Sequence, residues 1–158
     1  MTNHTLQKQL IQVGATFAGV AVALGAFGAH QLKDLIDETE LNTFETGIRY
    51  QFYHAISLFL IGGVMRRFDE KTVKQVFQLF VVGILIFSGS LYILATRHIT
   101  LGDNLKWIGG LTPIGGVCFI LGWFLLAFKG YKKTDGTETN PYRHRSRSSK
   151  NQEEENSN

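Results

Sequence analysis

The residues best suited to chemistry are a few imidazole, phenol and hydroxyl groups set at the ends of long apolar stretches. His30 closes the first stretch, and Tyr50, Tyr53 and His54 open the second. Tyr92, Thr96, Arg97 and His98 end the third, and Thr112 and Pro113 lie near the start of the fourth. Imidazole can ligate a metal, relay a proton or hydrogen-bond a quinone or lipid headgroup. If consecutive stretches run in opposite directions, all four bring their polar groups to one layer. The expected layer is His30, Tyr50, His54, Tyr92 and Thr112. The same pattern has a plainer reading, in which His30 and His54 cross-link helix ends while Tyr and Arg anchor the interface.

The plainer reading is favoured. There is no His-x-x-x-His pair, no Asp or Glu inside any of the four stretches, and a single cysteine, Cys118. No metal site and no cofactor are expected, and Cys118 reads as packing. A proton-driven exporter commonly uses an intramembrane carboxylate, which this chain lacks in its apolar stretches. A transporter would therefore have to work through histidine. No enzyme activity is expected.

The elements that must position these groups follow from the charges. Four gaps lack Asp, Glu, Lys and Arg: Gln9–Leu32, Tyr50–Met65, Gln75–Thr96 and Trp107–Phe128, of 24, 16, 22 and 22 residues. All 29 charges therefore crowd into the remaining 74 of the 158 residues, although mean hydropathy is only +0.02. A soluble domain needs charge on the outer face of each helix, and these gaps leave none. A helix of about 20 residues crosses a hydrocarbon core of about 30 Å. The expected fold is all-α, an integral membrane four-helix bundle with spans at about 10–29, 47–65, 76–95 and 107–128. The second span is the weakest and borrows Gly47, Ile48 and Arg49. Asp37 can cap a helix before it, with Glu38 and Glu40 in its first turn and Leu41, Phe44 and Ile48 on one face. One helix should thus begin outside the bilayer and run into it.

Lys and Arg set the direction. With four spans, twelve of them share the side of the two termini and four lie on the other, so both termini are expected in the cytoplasm of a multi-pass cell-membrane protein. The first span is read as a retained helix, not a cleaved signal peptide. Residues 1–128 form the membrane domain, and 129–158 read as a disordered, charged cytoplasmic tail. The positive charge comes from this tail and the second loop, and is no evidence for nucleic acid. Membrane lipids are the expected surroundings.

Small residues recur every four positions at Ala21, Gly25 and Ala29, and at Ala15, Gly19 and Ala23. Gly115 and Gly116 follow Pro113. Such spacing lets helix backbones approach closely, either within the bundle or between copies of the chain. Thr112-Pro113 reads as an N-cap and first helical residue. Residues 107–111 would then be a separate interfacial or re-entrant piece; a simple proline kink is the equal alternative.

Several of these segments resemble a known family. They are Gly25-Ala26-Phe27-Gly28-Ala29-His30, Tyr50-Gln51-Phe52-Tyr53-His54-Ala55, Phe87-Ser88-Gly89-Ser90-Leu91-Tyr92, Leu111-Thr112-Pro113-Ile114-Gly115-Gly116 and Gly122-Trp123. Together they are similar to the small membrane proteins called domain of unknown function 423, or uncharacterised protein family 0382; eukaryotic transmembrane protein 256 looks related. The resemblance implies four spans and a plasma-membrane location, and brings no reaction, substrate or cofactor. The leading expectation is a structural or interaction protein, packing with itself or with an unidentified membrane partner. The alternative is a small transporter using an outward-facing layer around His30 and His54. The topology is testable: green fluorescent protein fused after Lys150 should fluoresce, and alkaline phosphatase fused after Leu35 should be active. The reverse pattern would invert the orientation.

Overall fold

A computed structural model describes residues 2–100 and 103–131. The charged tail lies outside the described residues from position 132 onward. The described chain is helical, with five α-helices forming four long rods. Helix α1 is Thr2–His30 and α2 is Glu38–Val64. The third rod is α3, Glu70–Gly83, and α4, Gly89–Thr100, joined by one π-helical turn at Ile84–Ser88. The fourth is α5, Thr112–Lys129, preceded by a 3-10 segment over Asp103–Leu111.

The sequence explains the ends of these rods. Asp37 accepts from the backbone N–H of Glu40 at 2.8 Å, while the Glu40 carboxylate accepts from the Asp37 N–H, a reciprocal capping box. Helix α2 therefore starts outside the apolar stretch and enters it as one piece. Asp69 caps α3 through the Thr72 N–H and hydroxyl. Residues 103–111 form a 3-10 segment that runs directly into α5, with Leu111 itself in the right-handed helical region. Thr112 opens α5, but its hydroxyl meets Ser90 at 2.8 Å and is not an N-cap.

Three rods are long and apolar enough to cross a membrane by length and composition: His4–Asp34, Glu70–Thr100 and Trp107–Lys129. Helix α2 completes the four; Tyr50, Gln51, Tyr53 and His54 within its apolar half lower its hydropathy and keep it out of that set. Helix α1 packs along α2, and α5 packs along the third rod. Helix α2 contacts both α1 and the third rod, and α1 also touches α3. Phe68 and Asp69 of the α2–α3 turn pair with Tyr131 and Gly130 beyond α5, which fastens that turn to the end of α5.

Two apolar clusters fill the interior. One joins Leu10 of α1, Leu58 of α2, Val73, Val76 and Phe80 of α3, and Phe119 of α5. The other joins Leu32, Phe44 and Ala95 at the opposite end. In hydrocarbon the contact between helices comes from close packing, because lipid tails are as apolar as leucine. Gly14 shows how close: a Cβ there would lie 2.8 Å from both the Ala55 carbonyl oxygen and the Phe59 nitrogen of α2. At 100° per residue, Leu10, Gly14, Ala21 and Gly28 fall on one face of α1, and all four are buried. Gly14→Leu should destabilise the protein by about 2 kcal/mol or more through forced separation of α1 and α2. Unfolding in detergent measures it, and wild-type stability would contradict the packing.

Candidate functional site

Between the two apolar clusters lies a set of paired polar side chains. Gln51 is buried on α2. Its amide donates to the Phe17 carbonyl oxygen of α1 at 2.9 Å, and its side-chain oxygen accepts from the Tyr92 hydroxyl of α4 at 2.9 Å. One glutamine thus ties three rods. Gly47, one turn before it, makes room: a Cβ there would fall 2.8 Å from the Tyr92 ring. Ser90 and Thr112 join the third and fourth rods through their hydroxyls, and Ser90 also donates to the Phe87 carbonyl at 2.9 Å. Gly115 brings α5 against that point, where a Cβ would meet the Phe87 nitrogen at 2.5 Å.

His54 is buried one turn further along α2. Its Nδ1 faces the Tyr50 carbonyl oxygen at 2.8 Å, and its Nε2 accepts from the Trp123 indole N–H of α5 at 3.2 Å. An indole nitrogen only donates and a carbonyl only accepts. These partners fix one neutral tautomer, with the proton on Nδ1 and no nitrogen left over. The ring stacks on Phe119 at 3.5 Å with 10° between planes, and Phe80 meets it edge-on. Tyr50 packs against Phe87 with centroids 4.6 Å apart. The aromatic set Tyr50, His54, Phe80, Phe87, Phe119 and Trp123 spans three rods.

The expected layer therefore separates by depth and by contact. Tyr92 and Thr112 are engaged as described, while His54 lies deeper, ten residues or about 15 Å from the end of α2. His30 is exposed at the end of α1. Gln51 reaches the carbonyl of Phe17, which is thirteen residues before His30, so the network sits near mid-span. Of the expected packing residues, Ala21 is buried, Gly25 is half-buried with its nearest neighbour Ile48 at 4.0 Å, and Ala29 is exposed. Gly115 is buried, and Gly116 lies half-buried beside the Phe87 ring. Among the described residues, no three His, Cys, Asp or Glu side chains come together.

Sequence spacing did not single out Gln51, Ser90 or Trp123. An amide inside a charge-free stretch is itself the signal for Gln51, because hydrocarbon offers it no partner. Glu40 is a further case. It pairs with His98 at 3.1 Å and lies 3.9 Å from Arg97, which also donates to the Leu94 carbonyl at 2.9 Å. These contacts tie the start of α2 to the end of α4.

The fold and site define a small helical membrane protein, held together by buried polar pairs and close glycine contacts. The family model for "Protein of unknown function (DUF423)" matches residues 24–116. The UPF0382 membrane protein YwdK of Bacillus subtilis is 38% identical over 126 residues, covering 79% of this chain and 98% of that protein. A UPF0382 membrane protein of Staphylococcus aureus is 42% identical over 125 residues, covering 79% of this chain and 97% of its own. One from Haemophilus influenzae is 39% identical over 111 residues, with 70% and 84% covered. The chain belongs to this DUF423/UPF0382 family of membrane proteins. No solved structure matches it.

The Gln51–Tyr92 pair gives a direct test. Tyr92→Phe should cost about 1 kcal/mol of stability in detergent. In Gln51→Leu the same change should cost much less, since its partner is already gone. Equal costs in both backgrounds would show that the bond contributes nothing.

Proposed function

We propose that this protein is a non-enzymatic structural component of the cell membrane that assembles with further copies of itself through the outer face of α1. Both termini lie in the cytoplasm on this reading, as the Lys and Arg distribution favours. The observation that carries the proposal is the division of α1 into two opposite faces. Leu10, Gly14, Ala21 and Gly28 turn inward. Gln12, Ala15, Gly19, Ala23 and Ala26 fall on the other side and are all exposed. A Cβ at Gly19 would meet nothing within 4 Å.

A small-residue face of this kind lets a second helix come close. Gln12 adds a polar reason, since hydrocarbon leaves an exposed side-chain amide unpaired. Thr16 on the same face is satisfied internally by the Gln12 carbonyl at 2.8 Å. The exposure of these residues leaves this face clear of the other rods.

The transporter reading around His30 and His54 stands second. It needs polar groups free to receive a cargo, whereas His54 has both nitrogens engaged and His30 lies at another level.

Gly19→Leu should reduce the oligomer to monomer in native mass spectra and in lipid-bilayer crosslinking, with unfolding unchanged. An unchanged oligomer, or a wild-type monomer, would overturn the proposal.

A further inference from the structure

The third rod departs from a regular α-helix at Ile84–Ser88, where one buried hydroxyl goes unpaired among the described residues. Seven hydroxyl groups on the long helices bond back to a carbonyl one turn earlier. Thr16, Thr43, Thr46, Ser57, Thr96 and Thr100 reach the residue four before, and Ser90 the residue three before. Ser88 does not. Its hydroxyl is fully buried and has no hydrogen-bond partner among the described residues. The cause is local: Ser88 ends the π-helical turn, and the carbonyl of Ile84 accepts instead from the N–H of Gly89, five residues on. In a regular α-helix, Ile84 would be the residue whose carbonyl the Ser88 hydroxyl reaches.

The π-turn is held from outside. A one-residue bulge rotates everything beyond it relative to a continuous helix, by on the order of 100°. Three pairs in the outer half depend on that rotation: Ser90 with Thr112, Tyr92 with Gln51, and His98 with Glu40. The neighbours are shaped to the bulge. Gly115 lies against the backbone of Phe87, and a Cβ on Gly47 would lie 3.3 Å from the Ser88 carbonyl oxygen. Gly83 and Gly89 flank the turn. Local bonding at Ser88 thus favours a straight rod, while the three pairs favour the bulged one.

We infer that the π-turn at Ile84–Ser88 is a two-position hinge, at which α4 rotates against α2 and α5 as the turn converts between π and α. The bulged position makes all three outer pairs. The straight position gives Ser88 its carbonyl and releases those pairs together, so the conversion is all-or-none. This inference does not depend on self-assembly.

Spin labels at Glu45→Cys on α2 and Ile99→Cys on α4, in a Cys118→Ser background, read the rotation in lipid nanodiscs. A rotation of that size moves a label on a helix about 10 Å wide by roughly 8 Å. Two distance populations are expected. Ser88→Ala removes the bond that favours the straight form, and should shift their ratio roughly fivefold toward the bulged one. Deleting Leu85, an exposed residue of the turn, removes the extra residue of the bulge and keeps α4 in the bulged orientation as a regular helix, so only the bulged distance should remain. A single distance in the parent protein, or two whose ratio ignores Ser88→Ala, overturns the hinge. Because Ser88→Ala removes only a hydroxyl, it decides the question even if the deletion variant does not fold.

Discussion

The structure depends on one constraint: a polar group inside hydrocarbon must find its partner within the protein. Gln51 answers it with two bonds to two different rods, so satisfying one amide also fixes how three helices sit. His54 answers it by donating to its own helix and accepting from Trp123. These pairs are stronger constraints on geometry than the surrounding leucines. Apolar side chains can exchange protein neighbours for lipid at little cost, whereas an amide cannot.

Glycine supplies the complementary half of the design. The bonds of Gln51 require α1, α2 and α4 to come within reach of one side chain, and bulkier residues at Gly14 or Gly47 would hold them apart. The same logic holds at Gly115, which lets α5 reach the π-turn where Ser90 meets Thr112. Close approach and polar pairing thus occur at the same levels. The outward face of α1 has the small residues without the partner, which is why it reads as a surface for another copy.

Much of this was legible in the sequence. Charge-free stretches located the rods, and Asp37 with Glu40 located the start of α2. Depth was not legible. The single helix from Glu38 was expected, but His30, Tyr50 and His54 all lie near the ends of charge-free stretches, and only the contacts of His54 with Phe80, Phe119 and Trp123 separate it in depth from His30. Nor was the facing of α1. Small residues occur on both of its sides, and spacing by four does not say which side meets α2; Gly14 and Gly28 do, with Ala21 between them. The π-turn was illegible too, since no residue type within Ile84–Ser88 marks one.

The central claim is that the mid-span polar groups are satisfied by one another and hold the rods together. Hydrogen–deuterium exchange of the Gln51 side-chain amide and the His54 Nδ1 proton, followed by NMR in lipid nanodiscs, tests this most directly. The account predicts exchange as slow as that of the surrounding helix backbone, with His54 in a single tautomer. Rapid exchange at both groups would mean that water reaches them, and would contradict a core sealed by its own polar pairs.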